Sequence, residues 1–322
     1  MIVTVTLNAA LDRTLTVPNF QRGQRHRASG GLTIAGGKGI NIARALKRLD
    51  VPVVATGLAG GLTGTRIVEE LTAEAILNDF VRIADESRTS TAVVDPTATS
   101  YTEINEWGPH VEDEELEMLL EKLRYLTTGA QTVVFAGSLP RGVDPDIYGR
   151  LVRELRKMDV TTVVDTDGEP LRQAVRAEPA VVSPNVLEAE ELVGHEFNDD
   201  EDRTIAVREM AQLGAREAIM TMPDGCFAQI QGKDVPEPVL YRVRVRAGAI
   251  EPRATVGSGD AFLAGFVAAR YQGRDQSEAL AFGVACGAES TQHLGAGLVD
   301  PDRVERLLAD VEVEKATLTP QA

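Results

Sequence analysis

The chain has 322 residues, a net charge of −16 and 43% apolar residues. This length and apolar content provide a hydrophobic core, and they exclude a disordered chain, a collagen and a disulfide-rich scaffold. A protein with this much negative charge repels nucleic acid and anionic lipid, and we therefore expect neither as a partner. With two cysteines, no basic N-terminal leader and no bilayer-length apolar run, it is expected to be cytoplasmic and without a membrane segment.

Short β-branched segments alternate with amphipathic helical segments along the chain. The predicted strands are Ile2–Leu7, Val53–Leu58, Thr132–Ala136, Thr161–Asp165, Ala180–Ser183 and Glu217–Met222. The predicted helices are Asn41–Leu49, Gly64–Glu74, Glu112–Leu126, Pro145–Met158, Pro170–Arg176, Val186–Val193, Thr204–Leu213, Gly259–Tyr271, Gln276–Gln292 and Asp302–Asp310. This alternation predicts βαβ units and an α/β fold with a mostly parallel sheet covered on both faces. The tail after Val311 is expected to be loosely ordered.

Two segments interrupt this alternation. Residues 14–34 and 88–106 alternate polar and apolar side chains with no helix between them. Each is typical of a β-hairpin with one exposed face. We expect the two hairpins to form a small antiparallel sheet over the carboxyl ends of the main strands, where it could act as a lid; two unrelated surface hairpins are the alternative.

The strongest chemical motif is the hexapeptide TVGSGD, residues 255–260, which precedes an amphipathic helix. Gly257, Ser258 and Gly259 would leave backbone N–H groups free at the positive end of the helix dipole, which suits an anion. Asp260 lies in the first turn and could accept a proton from an attacking hydroxyl while those amides hold a transferring phosphoryl group. The alternative is an ordinary acidic residue after a glycine-rich turn.

A second glycine-rich helix start is AGGKGIN, residues 35–41. It matches neither a Walker loop nor a dinucleotide fingerprint. Lys38 supplies positive charge and Asn41 supplies donors and acceptors, so with Gly37 the segment suits a polyol that carries an anionic group. Asp12, after the first strand, could accept hydrogen bonds from two sugar hydroxyls. A turn with surface side chains is the alternative in both cases.

Three further groups complete the candidate site. Asn185 and Glu188 in SPNVLE share one face where a strand enters a helix, which suits either a capping box or a shell around Mg²⁺ and nucleotide phosphates. Ser138 lies in a turn, GSLPRG, at another strand end. The cations of the two hairpins could clamp a phosphate, or they could be solvated surface residues; they are Arg25, Arg27 and Arg88.

Seven segments in this order resemble the ribokinase-type (PfkB) carbohydrate kinases from Met1 to about Gly297: TLNAALD, GGKGINIARAL, SRTSTAVV, TEINEWGP, GSLPRG, SPNVLEAEEL and TVGSGDAFLAGF. GGKGIN and TEINEWGP are typical of the sugar-phosphate branch, which contains 1-phosphofructokinase and tagatose-6-phosphate kinase. The resemblance implies one ribokinase-like catalytic domain over residues 1–322. That domain is a three-layer α/β/α sandwich whose β lid is formed by insertions at 12–35 and 88–107.

The resemblance also implies roles for individual residues. Asp260 is the base and the amides of Gly257, Ser258 and Gly259 form the anion hole. Sugar hydroxyls are bound by Asp12, Gly37 and Asn41. The phosphate already on the sugar is bound by Lys38, Arg25, Arg27 and Arg88, with Ser138 nearby. Asn185 and Glu188 orient ATP and Mg²⁺, Glu188 through water, while Thr221, Gly225 and the segment 286–297 flank the nucleotide.

The chain departs from the family pattern at three places. TLNAALD lacks the usual proline, which changes turn stiffness. Trp107 stands where the family has proline, which puts lid contacts in doubt. The loop 221–226 is one residue short and contains Pro223, which puts its nucleotide contacts in doubt.

The activity implied is ATP-dependent phosphorylation of a ketohexose phosphate, fructose 1-phosphate to fructose 1,6-bisphosphate. Tagatose-6-phosphate kinase and 6-phosphofructokinase are alternatives, because the clamp does not reveal which carbon carries the phosphate. A non-catalytic sugar-phosphate sensor is a further alternative, disfavoured by the intact Gly257, Gly259 and Asp260. Lids in this family often interlock, so a homodimer is expected.

Overall fold

The structure, a computed structural model, describes residues 1–98, 100–231 and 237–316. In chain order the strands are β1 Ile2–Thr6, β2 Ala10–Thr16, β3 Gly30–Gly36, β4 Val53–Gly60, β5 Leu77–Ile83, β6 Arg88–Asp95, β7 Ser100–Asn105, β8 Thr132–Ala136, β9 Thr161–Asp165, β10 Val181–Val182, β11 Glu217–Met222, β12 Gly225–Ile230, β13 Val239–Val245 and β14 Val311–Lys315. Ten of them form one large sheet and four form a smaller one.

Helices alternate with these strands. They are α1 Lys38–Arg48, α2 Gly61–Ala73, α3 Asp113–Thr127, α4 Ile147–Arg156, α5 Gly168–Val175, α6 Val186–Val193, α7 Asp200–Gln212, α8 Ser258–Tyr271, α9 Gln276–Ser290 and α10 Pro301–Leu307. Every helix expected from the sequence is present; α6 has the expected bounds, and the other helices have ends shifted by up to a few residues.

The large sheet has the order β14-β13-β12-β11-β10-β9-β8-β1-β4-β5. Its strands from β11 to β5 pair in parallel, whereas β12, β13 and β14 are antiparallel. Because β1 pairs with both β4 and β8, the chain order reverses at β1. In open α/β sheets the ligand crevice lies at the carboxyl ends of the strands beside such a reversal.

Two apolar clusters cover the two faces of this sheet. Side chains of α1, α2, α8, α9 and α10 form one cluster, and those of α3, α4, α5, α6 and α7 form the other. Strand β1 is buried along its whole length and supplies side chains to both clusters. This is the burial expected for a parallel strand with helices on both sides, and it gives the three-layer α/β/α arrangement that the sequence predicted.

The smaller sheet is the lid, with the order β3-β2-β6-β7. Each expected hairpin is antiparallel, β2 with β3 and β6 with β7, and the two are joined by parallel pairing of β2 with β6. The join is parallel because β2 and β6 both leave the carboxyl edge of the large sheet in the same direction.

The expectation of a loosely ordered tail after Val311 was wrong for residues 311–315, which form β14. Strand β14 pairs with β13, and Arg244 of β13 bonds Glu312 and Glu314. The segment VEVEK alternates valine with charged residues and has too few apolar residues to predict a strand by itself, so its strand conformation depends on pairing with β13. Residues 317–322 lie outside the described part of the chain. The sequence analysis also did not predict strands β5, β12 and β13.

Within the residues that the structure describes, no helix combines the length and apolarity needed to cross a membrane.

Candidate active site

A cleft of about 810 Å³ lies between the carboxyl ends of the parallel strands and the lid. Its size is typical of small-molecule and cofactor sites. The starts of three helices border it, at Lys38 of α1, Val186 of α6 and Ser258 of α8. Since a helix carries partial positive charge at its N-terminus, each of these helix starts favours an anion placed directly beside it, although the protein is strongly acidic.

Asp260 lies in the first turn of α8 and is 6% exposed. The side-chain amide of Asn41 donates a hydrogen bond of 2.8 Å to its Oδ2 atom. Burial, and next the charge of Asp165, raise the pKa of Asp260 from its ordinary 3.8 to about 7, against the effects of Lys38 and Asn41. A carboxyl group with such a pKa can accept a proton near neutral pH.

The start of α8 leaves backbone donors beside this carboxyl group. Gly257 caps the helix with φ of +80°, and a side chain there would collide with Ala296, so glycine is required. Gly259 faces open space, and its N–H lies in the first turn, where a helix provides no acceptor. The amide of Ser258 donates to the Thr255 carbonyl at 3.2 Å, so it is already engaged.

Lys38, the first residue of α1, binds two carboxylates from distant parts of the chain. Its ammonium group lies 2.8 Å from Asp165 Oδ1 and 3.5 Å from Glu188 Oε1. Burial alone would lower the pKa of Lys38, but the charges of Asp165, Glu188 and Asp260 outweigh it and raise that pKa. Lys38 therefore stays charged and neutralises part of the acidic end of the cleft.

Helix α6 and the β11–β12 turn continue the wall of the cleft beyond Lys38. Asn185 and Glu188 form a reciprocal capping box, with 3.0 Å from the Glu188 amide to Asn185 Oδ1 and 2.8 Å from the Asn185 amide to Glu188 Oε2. Burial raises the pKa of Glu188, opposed by Lys38. Thr221 pairs with Asn185, and Gly225 closes the turn in a left-handed conformation that a side chain would strain. The capping and ligand interpretations of SPNVLE are thus compatible.

The lid forms the remaining wall. Asp12 lies within β2 rather than in a turn after β1, and its carboxylate fills the space that a side chain on Gly36 would occupy. Burial raises the pKa of Asp12 to about 6, opposed by the charge of Arg88. Arg88 begins β6 and donates to the Asn8 carbonyl and to Asn105, each at 3.3 Å. These side chains present hydrogen-bonding groups and one cation to a ligand under the lid.

Three predicted residues are placed away from the cleft. Arg25 and Arg27 are exposed in the segment between β2 and β3, and neither is among the described residues that line the cleft. Ser138 also lies outside that lining, and its hydroxyl accepts a 3.2 Å bond from Asn8. Of the four residues predicted to bind the sugar phosphate, Lys38 and Arg88 line the cleft. Polar–apolar alternation predicts that a hairpin exists but not where its tip points.

The sequence was compared with models of known protein families. Residues 3–303 match the family described as pfkB family carbohydrate kinase. The chain belongs to this family. The kinase is therefore a phosphotransferase with a sugar hydroxyl as acceptor, and ATP is the phosphoryl donor of the family.

Relatives and solved structures match along nearly the full length of the kinase. A 1-phosphofructokinase of Borreliella burgdorferi is 32% identical, covering 98% of each chain. A tagatose-6-phosphate kinase of Staphylococcus epidermidis is 28% identical, covering 97% of this chain and 99% of the relative. The crystal structure of a possible 1-phosphofructokinase from Thermotoga maritima superposes with a TM-score of 0.88 at 28% identity, covering 98% of this chain and all of the other.

Sequence reasoning missed several residues that line the cleft. Asp165 ends β9, and its strand was predicted without the carboxylate being selected; its position at the carboxyl end of a buried strand was the available signal. Ser90, Glu103 and Asn105 line the cleft from the lid. They alternate along β6 and β7, so the period of two was the signal for them.

The raised pKa of Asp260 predicts a pH-dependent cost to the stability of the kinase. An unfolded aspartate releases its proton near pH 4, but the folded one keeps it up to about pH 7. Between pH 4 and pH 7 the folded state thus binds more protons than the unfolded state. The free energy of unfolding therefore falls as pH rises through this range, and the loss is complete above about pH 7.

Asp260→Asn, which cannot ionise, should stabilise the kinase at pH 8 by on the order of 2–4 kcal/mol and much less at pH 4.5. Urea unfolding at both pH values measures this difference, with Asp302→Asn on the surface as control. An equal change in the free energy of unfolding at both pH values would show that ionisation of Asp260 does not destabilise the folded state.

Proposed function

We propose that this kinase phosphorylates fructose 1-phosphate to fructose 1,6-bisphosphate with Mg²⁺-ATP. The observation that carries the proposal is the pairing of Asn41 with Asp260 beside the open amide of Gly259, with Arg88 on the lid side and Glu188 on the far side. The cleft thus offers a proton acceptor at its centre, a cation for a sugar phosphate on the lid side and an oxygen donor for Mg²⁺ on the far side. Support for the sugar comes from the Borreliella relative named 1-phosphofructokinase.

In the proposed reaction Asp260, ionised, accepts the proton of the sugar hydroxyl. The hydroxyl oxygen forms a bond to the γ-phosphorus as the bond from that phosphorus to the β–γ bridging oxygen breaks, and ADP leaves with the bridging oxygen. The Gly259 amide and the α8 dipole stabilise the negative charge of the transferring group. In such transfers, positioning and charge stabilisation supply most of the rate enhancement.

Lys38 takes a different place in this proposal from the one the sequence suggested. Its ammonium group lies against Asp165 and Glu188, so we assign it to the transferring phosphoryl group and leave Arg88 with the phosphate of the sugar. Arg88 remains charged even though burial lowers its pKa, since an arginine begins far above neutral pH. Asp12 and Asn41 are proposed to bind sugar hydroxyls.

The residues at the nucleotide end fit Mg²⁺ held mainly by water and phosphate. Among the described residues no three carboxylate, histidine or cysteine side chains come together as a complete metal cage. Glu188 and Asp165 are nonetheless oxygen donors at the cleft wall, and Mg²⁺ usually keeps several waters and binds through one or two carboxylates plus phosphates. Bound there, Mg²⁺ would supply charge neutralisation to the nucleotide phosphates.

The substrate is tested by ADP release with Mg²⁺-ATP and fructose 1-phosphate, fructose 6-phosphate or tagatose 6-phosphate. We expect kcat/KM to be at least about tenfold higher for fructose 1-phosphate, a discrimination that binding contacts can provide. Asp260→Asn is the control and should lower kcat by about 10²–10⁴-fold, the usual contribution of a general base. A preference for either 6-phosphate would replace the proposed substrate by the corresponding alternative, and full turnover by Asp260→Asn would refute the proposed base.

Arg88→Met should weaken sugar-phosphate binding selectively, because Arg88 lies on the lid side of the cleft. We expect the KM for the sugar phosphate to rise by about 10–100-fold, the loss of one charge-assisted contact, with the KM for ATP changed less than about threefold. Steady-state titration of each substrate at saturating concentration of the other measures both values. Arg82→Met, a surface arginine of β5, is the control; an equal rise in both KM values would contradict the assignment.

We also propose that two copies of the chain pair through their lids. Direct cross-strand partners share a face, as do residues two apart, so Leu32 and Tyr101 lie on the same lid face as Asp12. Both remain partly exposed, at 39% and 45%. A second lid packed on this face would bury them, in agreement with the dimer implied by the family resemblance.

Sedimentation equilibrium should give twice the chain mass of 34.6 kDa. Leu32→Asp should shift the protein to monomer, since it places a charge in the buried face. Leu213→Asp, at the end of α7 and with a comparable 43% exposure, should leave the dimer intact. A monomeric wild type, or a dimer unaffected by Leu32→Asp, would exclude lid pairing.

A further inference from the structure

Arg44 of α1 is an almost fully buried arginine to which no role has yet been given. The residue is 2% exposed, and it lies one helical turn after Asn41. Burial of a guanidinium group in the core is unfavourable unless every donor finds a partner. The partners of Arg44 therefore indicate what the residue is for.

The guanidinium group bonds four separate segments. Nε and Nη2 form a bidentate pair with Glu74 at 2.5 and 2.8 Å, just after α2. Nη2 also donates to the Ala35 carbonyl in β3 at 2.7 Å. Nη1 donates at 3.3 Å both to Asn41 Oδ1 and to the Ala296 carbonyl. One planar group thus joins the base of the lid, α1, the end of α2 and the loop after α9.

The bond to Asn41 determines which way its amide faces. A carboxamide presents oxygen on one side and nitrogen on the other, and Arg44 can only donate. Asn41 must therefore turn Oδ1 toward Arg44, which leaves Nδ2 to donate to Asp260 at 2.8 Å. Without Arg44 the reversed amide would place oxygen against the Asp260 carboxylate, and the two acceptors would repel each other.

The bond to Ala296 acts on the other side of the reaction centre. A side chain on Gly257 would lie 2.5 Å from Ala296 Cβ, so the loop packs directly on the residue that caps α8. Gly297 next to it is equally tight against the backbone of Asn41, where an added Cβ would lie 2.4 Å from the carbonyl oxygen. Arg44 therefore holds the loop that fixes the start of α8 relative to α1.

We infer that Arg44 is a positioning residue for phosphoryl transfer, which orients the Asn41 amide toward Asp260 and holds the 296–297 loop against Gly257. This inference rests on the proposed role of Asp260 as the base. Displacements of about 1 Å remote from the reacting atoms can reduce turnover by about 100-fold, so loss of this alignment reduces kcat more than it reduces the binding of either substrate.

The test is a separation of kcat from KM in Arg44→Lys, which keeps the charge but cannot hold four segments in one plane. We expect kcat to fall at least about tenfold with both KM values changed less than about threefold. Two controls bracket it. Glu74→Gln weakens the surface-side ion pair but keeps the bonds to Asn41 and Ala296, and Arg203→Lys changes an ion-paired arginine of α7; both should keep kcat within about twofold.

A double-mutant cycle with Asn41→Ala identifies the route. If Arg44 acts through Asn41, Arg44→Lys costs at least about fivefold less in kcat when Asn41 is already absent. Should Arg44→Lys fail to fold, Arg44→Met combined with Glu74→Gln removes both charges together and is measured in its place. Unchanged kcat with only a lower melting temperature, or losses that multiply in the cycle, would overturn the inference. The proposed function fails separately, through retained turnover in Asp260→Asn.

Discussion

The buried carboxylate of Asp260 imposes the constraint around which the cleft is arranged. Burial penalises its charge, and the neighbouring charge of Asp165 adds to the penalty. Lys38 and the amide of Asn41 oppose it, together with the dipole of α8. The balance leaves a carboxyl group that changes protonation close to neutral pH, and small changes in either set of neighbours would abolish this property.

Glycine is required wherever this arrangement brings backbone close to a functional group. Gly36 leaves room for the Asp12 carboxylate, and Gly257 lets α8 begin against Ala296. Glycine is therefore needed at these positions because neighbouring atoms lie too close for a Cβ atom, more than because the backbone must be flexible. Substitution by alanine at Gly36 or Gly257 would move the very groups that the cleft aligns.

Local sequence predicted the groups whose position depends on one helix start. Asp260, Asn41, Asn185 and Glu188 follow small or capping residues in the sequence, and the structure places all of them at helix starts around the cleft. Residues whose placement depends on tertiary contacts were harder to predict. Asp165 meets Lys38 from a distant part of the chain, and Arg44 joins four segments through five hydrogen bonds, contacts that no local sequence pattern predicts.

The lid shows the same limit. Alternation predicted both hairpins, and Asp12, Ser90 and Asn105 lie opposite one another as strand pairing requires. It did not predict the parallel join of β2 to β6, nor that Arg25 and Arg27 would lie beyond the cleft. Those features depend on how the hairpins leave the body, which the large sheet determines.

The bond between Asn41 and Asp260 spans 219 positions of the chain. During synthesis the first residues of the sheet and of α1 emerge long before α8 does, and chains fold broadly from the N-terminus as they are made. A partly made kinase in which α8 has not yet been translated therefore lacks both the proposed base, Asp260, and the Gly259 amide beside it. The proposed phosphoryl transfer therefore requires a chain that has been translated at least through α8, because the two halves of the cleft are made at different times.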